Sequence, residues 1–257
     1  MEGSDPVNDP GQEVETVNHE AMAAHRPLHI AHRGYRTGLG DNTIAQFREA
    51  IRLACDMIET DVRRRRSDGE LILAHDRGSN RDAPLLRDAL RLCRTHGIPL
   101  NLDLKENGIA HQLVAEVRAA DMVDQVTLTG GGWEQAAYIR HLEPGLRIGL
   151  TIPRRHHDWV RALGWAANRA WRYVWTRRAD LLMRAYHVDL ITVQFRLVTP
   201  RLVAQVHAGG GEIWCWTPDH PDAVRRLTEM GVDGICTNVP DPARAAMTRT
   251  HLGALAA

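Results

Sequence analysis

Glu59 and Asp61 stand one residue apart in the run Glu59-Thr60-Asp61-Val62. Side chains on a strand alternate sides with a period of two, so the two carboxylates face the same way and can share one cation. The apolar run Leu71-Ile72-Leu73 follows after a short polar turn containing Ser67, Asp68 and Gly69. A connection that short permits an antiparallel hairpin and forbids a parallel crossover. Folding it about Asp68 brings His75 opposite, or nearly opposite, Glu59. Two acids and an imidazole at one end of a ribbon are the minimum equipment for metal-assisted attack at a polar centre.

Other strand ends carry matching chemistry. His32-Arg33-Gly34 closes the apolar stretch Leu28 to Ala31, and offers an acid or base, a guanidinium for an oxyanion or phosphate, and a glycine that allows close backbone approach. Asp103-Leu104-Lys105 repeats the two-residue spacing with opposite charges. Facing the same opening, Asp103 completes a three-carboxylate site for a hard cation with Glu59 and Asp61, and Lys105 offsets phosphate charge. Trp216, just before Thr217-Pro218, ends a strand where an indole can line a pocket. Each feature also has a plainer account: a polar turn, an exposed ion pair worth about 0–1 kcal/mol, a core aromatic alternating with Trp214. The run Arg63 to Arg66 reads most simply as a solvated turn, in which only half the arginines could face an anion.

These residues need a frame that brings strand ends together. Apolar runs mark strands at 28–31, 57–62, 70–75, 100–104, 126–128, 146–151, 190–193, 213–216 and 234–236. Helical spacing marks helices near 44–54, 85–96, 108–120, 133–142, 199–208 and 220–230. Setting aside the antiparallel arm at 70–75 leaves eight strands alternating with helices in roughly 230 residues, the content of a single-domain (β/α)8 TIM barrel. A doubly wound open sheet is the runner-up. Polar residues at the carboxyl ends of several strands favour the barrel, whose sites assemble on that face. Residues 1–26, with two Asp-Pro steps and no periodicity, read as a flexible leader ahead of a barrel over 27–257. A helical segment around 154–187 interleaves Trp159, Trp165, Trp171 and Trp175 with arginines. That composition suits a lipid interface, giving an expected peripheral membrane contact through 159–178, against the plainer reading of a helix packed on the barrel.

Composition narrows the partners. With 257 residues, 44% of them hydrophobic and 25% charged, the chain has ordinary globular values and can bury a large core. A net charge of zero and a pI near 7.3 argue against a nucleic-acid partner. Cys55, Cys93, Cys215 and Cys236 are far apart with no C-x-x-C pair, as in buried, reduced thiols of a cytosolic protein. The acidic start has no apolar signal core, and no run reaches 18 uninterrupted apolar residues. The expected location is cytoplasmic, with a membrane-peripheral option; nothing in the sequence sets an oligomeric state.

Taken in order, H-R-G, D-N-T, E-T-D-V, D-G-E-L-I-L-A-H-D, L-D-L-K, W-T-P and G-V-D-G-I-C-T-N-V-P resemble the glycerophosphodiester phosphodiesterase family over nearly the whole chain after the leader. That family is similar to phosphoinositide phospholipases C in using a TIM barrel with two histidines and a divalent cation. The resemblance implies His32 and His75 as an acid/base pair, Arg33 holding the phosphate, Glu59, Asp61 and Asp103 as ligands of Mg²⁺ or Ca²⁺, and Lys105 as an electrostatic stabiliser. It implies hydrolysis of a small glycerophosphodiester to sn-glycerol 3-phosphate and an alcohol, with a glycerol hydroxyl attacking first to give a cyclic phosphate. Two acids differ from the family's usual glutamates: Asp41 in the D-N-T piece and Asp103, each one methylene shorter, which bears on metal affinity. Between His75 and Leu100 only Arg77 to Pro84 precedes the next helix, where the family usually inserts a small lid-like subdomain. The implied mouth is open, so a lysophospholipase D acting on a lysophospholipid at a membrane is the runner-up activity. A non-catalytic barrel binding phosphoesters through Arg33 and Lys105 is the alternative of another class.

Overall fold

A computed structural model describes residues 26–78, 81–152, 179–181 and 183–239. Eight parallel strands close on themselves: β1 (Leu28–His32), β2 (Met57–Arg64), β4 (Leu100–Leu104), β5 (Val126–Gly130), β6 (Arg147–Thr151), β7 (Leu190–Gln194), β8 (Glu212–Trp216) and β9 (Gly234–Thr237). The ring closes through β1, which pairs with both β9 and β2. The sheet is therefore a barrel and not the open alternative. The ninth strand, β3 (Leu71–Leu73), lies antiparallel on the far end of β2, with Val62 facing Leu73. That register, carried two residues further, sets His75 against Thr60, one step from Glu59.

Strand alternation explains the two cores. Outward residues such as Ile58, Leu102, Leu128 and Ile213 join the helices in one large buried cluster. Inward residues Ile30, Met57, Leu190, Trp214 and Cys236 form a smaller one inside the barrel. Trp214 fits there because its neighbour on β9 is Gly234, where a Cβ would stand 2.6 Å from the indole.

Helices α1 (Ile44–Arg52), α2 (Leu86–His96), α3 (Ala110–Ala119), α4 (Trp133–Leu142), α5 (Pro200–Ala208) and α6 (Pro221–Glu229) follow their strands as expected. Thr43 caps α1 by accepting the Gln46 N–H at 3.1 Å, and Thr199 caps α5 ahead of Pro200.

Two expectations change. Arg63 to Arg66 are not simply a solvated turn, because β2 runs on to Arg64 and three of the four arginines brace the mouth. Arg63 donates to the His75 carbonyl at 2.8 Å, Arg64 to the Gly108 carbonyl at 2.8 Å, and Arg65 to Asp68 and the Arg81 carbonyl, each at 2.9 Å. Arg26, placed in the leader, is tied to the barrel by a two-pronged pair with Asp56 at 2.7 and 2.8 Å. Residues 1–25 and most of the 154–187 segment, including the expected membrane contact through 159–178, lie outside the described residues.

Candidate functional site

The carboxyl ends of the strands open into a cavity of about 350 Å³. His32 reaches it from the end of β1, Glu59 from β2, Asp103 and Lys105 from β4, His75 from beyond β3 and Trp216 from β8. Arg33 joins them from the first residue after β1. Asp61 sits behind this lining, fully buried, one pleat further toward the mouth than Glu59 on β2. All eight residues singled out from the sequence thus converge.

Glu59, Asp61 and Asp103 each offer an oxygen, and these lie within 4.8 Å of one another. Burial, then the Asp61 and Asp103 charges, push Glu59 well above the usual carboxylate range. Burial also raises Asp103, against the pull of Lys105. Asp61 goes the other way: burial would raise it, but Lys105, Arg33 and the Asn42 amide together hold it below its ordinary value. Its Oδ2 lies 2.9 Å from Arg33 Nε and 2.9 Å from Asn42 Nδ2, and its Oδ1 lies 2.8 Å from Lys105 Nζ. Lys105 also contacts Asp103 and is held protonated, the two acids outweighing its burial. With all three ionised, the carboxylates would outnumber the two cations in a buried place, which is why Glu59 and Asp103 are raised and what a bound divalent cation would offset. Asp61 Oδ1 is sealed from solvent without a well-directed hydrogen bond. An all-oxygen set with a surplus of charge fits a hard divalent cation.

Arg33 is only partly committed. Its backbone N–H donates to Glu59 Oε2 at 3.1 Å, its Nε faces Asp61 and its Nη1 reaches Asp41 at 3.3 Å. Asp41, the shortened acid of the D-N-T piece, therefore steadies the guanidinium. Nη2 has no partner among the described residues and is left for an anion. The glycine that follows does allow a close approach, but of α1: a Cβ on Gly34, at φ +85°, would meet Phe47 at 2.8 Å.

His32 is held by a chain of hydrogen bonds. Asp219 accepts from the Asn238 backbone N–H at 2.9 Å and from its Nδ2 at 2.7 Å. A carboxylate can only accept, so the amide is turned with its Oδ1 toward His32 Nδ1, at 2.6 Å. His32 then carries its proton on Nδ1 and shows the lone pair of Nε2 to the cavity, 3.9 Å from Glu59 Oε2. Burial lowers the imidazole below its ordinary value, against the Asn238 hydrogen bond, so it is neutral at pH 7. His75 is more open, its side chain 44% exposed against 18% for His32, with Asp76 on its Nδ1 at 2.8 Å.

Four residues of the site were not singled out in advance. Asn42, at φ 59°, turns out of the start of α1 and clasps Asp61 and Thr60; it was visible only as a piece of D-N-T. Asn238 stood in T-N-V-P without a role. Asp219 had no signal beyond following Trp-Thr-Pro. Asn101 could have been found, since it lies two residues before Asp103 and so on the same face of β4.

Gly130 marks how tightly this end is built. At φ +72°, a Cβ there would land on Asp103 Oδ1 and 2.6 Å from the Leu104 carbonyl oxygen. Gly130→Ala is expected to push Asp103 out of the carboxylate cluster, lowering divalent-cation affinity at least tenfold and destabilising the fold by about 1–3 kcal/mol. Calorimetric metal titration checks the first effect and urea unfolding the second.

The model of the glycerophosphoryl diester phosphodiesterase family matches residues 32–82 and 79–242. Over 254 residues the chain is 25% identical to a glycerophosphodiester phosphodiesterase of Caldanaerobacter subterraneus subsp. tengcongensis, covering 84% of this chain and 96% of that one. Among solved structures, one from Parabacteroides distasonis, a glycerophosphodiester phosphodiesterase, matches with a TM-score of 0.71 at 16% identity over 88% of this chain and 98% of that one. An Oleispira antarctica phosphodiesterase solved with the product sn-glycerol-3-phosphate matches at 0.68 and 17%, over 87% and 97%. At such identities the structures speak to the barrel. The sequence match, beginning at His32 and running past Asn238, speaks to descent: the chain belongs to the glycerophosphoryl diester phosphodiesterase family of phosphoric diester hydrolases.

Proposed function

We propose that the protein hydrolyses glycerophosphodiesters to sn-glycerol 3-phosphate and an alcohol. The observation that carries this reading is the convergence of two imidazoles, two cations and three carboxylates on one cavity at the barrel mouth. Glu59, Asp61 and Asp103 would hold Mg²⁺ or Ca²⁺, which when bound supplies Lewis-acid polarisation of the phosphoryl group. The Arg33 guanidinium and the Lys105 ammonium orient the phosphate and offset the charge that grows on it.

His32 Nε2, neutral and aimed by Asn238, takes the proton of the glycerol 2-hydroxyl as that oxygen attacks phosphorus. The bond from phosphorus to the alcohol oxygen breaks, and His75 protonates that oxygen. In the second half His75 takes a proton from the attacking water, and His32 returns its proton to the glycerol oxygen as the ring opens. Both imidazoles end as they began, and the balance is diester plus water to sn-glycerol 3-phosphate plus alcohol.

The order of roles predicts a pH profile. His32 titrates below the ordinary imidazole value, because burial outweighs its hydrogen bond to Asn238. The acid limb of kcat/KM therefore falls below pH 6.5, activity declining as His32 is protonated. By the same sign, the folded state binds fewer protons there than the unfolded chain, so this group's contribution to stability shrinks as pH falls. Exchanging the two relay residues, Asp219→Asn with Asn238→Asp, brings the negative charge one link closer to His32 and moves the acid limb to higher pH. Either single change breaks the pairing and lowers kcat more than the exchange does. A pH–rate series on the three variants reads both effects.

The short connection after His75 supports a second reading. Only residues 76–85 separate His75 from α2, so no subdomain in that interval stands between the mouth and a lipid surface. Parallel turnover of glycerophosphocholine and lysophosphatidylcholine tests the choice. Faster release from glycerophosphocholine supports the proposal, faster release of lysophosphatidic acid supports a lysophospholipase D, and release from neither leaves a phosphoester-binding barrel.

A further inference from the structure

The cavity has two unlike arcs. Every charged group lining it comes from β1, β2, the chain just beyond β3, or the end of β4. The arc from β5 to β7 is neutral and small, made by Thr129, Thr151 and Thr192, with Asn101 of β4 joining it from below Asp103. These are unusual residues for a barrel interior, which branched apolar side chains ordinarily fill.

Their hydrogen bonds leave a definite remainder. Thr129 Oγ1 donates to Asn101 Oδ1 at 2.9 Å. Thr151 Oγ1 accepts the Gly130 N–H and pairs with Thr192 Oγ1, each at 2.9 Å. Two hydroxyls share one proton in that pair, so whichever one donates, the other keeps a proton for the cavity. The Asn101 Nδ2 has no partner among the described residues, and its two protons are free. Thr129 keeps unused lone pairs. The strands are already joined by their backbone ladders, so a purely structural role leaves the Asn101 amide unexplained. The arc is a wall that both donates and accepts and carries no charge, which is the chemistry that recognises an alcohol hydroxyl.

Which part of the substrate meets it follows from the depth of the two imidazoles, and rests on the reading given under Proposed function. In-line displacement puts the attacking and leaving oxygens on opposite sides of phosphorus. His32, the base, is the deeper of the two and His75, the acid, lies at the rim. The glycerol arm therefore points inward and the departing alcohol points out. Its 2-hydroxyl is spent on attack, which leaves its free primary hydroxyl to meet the floor, which the buried Trp214 also lines.

We propose that Asn101 and the Thr151–Thr192 hydroxyl pair read the free primary hydroxyl of the glycerol arm, and so restrict the enzyme to diesters whose glycerol is not acylated there. An acyl chain at that position would meet a closed polar floor. An analogue lacking the hydroxyl would leave the Asn101 amide and a threonine proton buried without acceptors.

The test compares glycerophosphocholine with 2-hydroxypropyl phosphocholine, which keeps the attacking hydroxyl and lacks only the primary one. In the unaltered, metal-loaded enzyme, kcat/KM is expected to favour glycerophosphocholine ten- to a hundredfold. In Asn101→Leu, and in Thr151→Val with Thr192→Val, that ratio falls toward one. The double variant takes the acceptor from the Gly130 N–H; should it not fold, Asn101→Leu and the two-substrate ratio of the unaltered enzyme still decide. Equal turnover of both substrates by the unaltered enzyme, or a ratio that survives in the folded variants, overturns the assignment of the wall. Turnover of neither substrate overturns the catalytic reading on which it rests, a different result from equal turnover of both.

Discussion

His32→Ala lowers kcat on glycerophosphocholine by about 10²–10⁴-fold and leaves KM within a few-fold. The split follows from what His32 touches. Its Nδ1 is committed to Asn238 at 2.6 Å and its Nε2 faces the cavity beside Glu59, so in the proposed mechanism the side chain works on the moving proton and leaves the phosphate to Arg33 and Lys105. In the proposed mechanism one imidazole deprotonates the attacking oxygen while the other protonates the leaving one, so the two act as a unit. The double variant His32→Ala/His75→Ala is accordingly expected to be no more than a few-fold slower than the worse single variant. Steady-state kinetics on the folded, metal-loaded variants measures this. A loss below tenfold for His32→Ala, or strictly multiplicative single losses, would remove His32 from the chemistry.

Asp61→Asn carries the other large effect, and it acts on stability as well as rate. Asp61 is 1% exposed and stands between Arg33 and Lys105, whose side chains are about one-fifth exposed. Removing its charge takes one of three carboxylates from the proposed cation site and leaves Arg33 with Asp41, and Lys105 with Asp103, as their remaining side-chain acids. Breaking a buried pair by deleting one partner costs about 3–5 kcal/mol, and partial exposure of Arg33 and Lys105 places this case at about 3 kcal/mol or slightly less. The urea midpoint in EDTA should fall accordingly. Activity should fall about 10³-fold, since the cation, the guanidinium and the ammonium all lose their common anchor. Stability equal to the parent would mean that Asp61 does not organise the two cations.

Much of this was legible in the residues because strands enforce a period of two. Glu59 with Asp61, and Asp103 two residues after Asn101, could be put on one face of a strand without any fold in hand. The hairpin was legible for a related reason, as a short turn admits only one direction of return. What could not be read was anything depending on where distant segments meet. Asn238 touches His32 across 206 residues of chain, and neither residue type announces the contact. Arg63 and Arg65 looked like a charge run in solvent because each spends part of its guanidinium on a backbone carbonyl, of His75 and Arg81, which every residue possesses. Asn42 stood in the D-N-T piece at the start of a helix, where any of the three residues can serve as a cap. Its positive φ lifts it out of that role and hands the cap to Thr43, a choice between neighbouring residues that propensity does not make.

The measurement that bears most directly on the account is release of sn-glycerol 3-phosphate from glycerophosphocholine by the purified protein, with Mg²⁺ or Ca²⁺, after EDTA, and after restoring the cation. The site geometry predicts turnover with the cation, its loss in EDTA and its return on adding the cation back. A folded, cation-loaded protein that releases none, or one equally fast in EDTA, would contradict it.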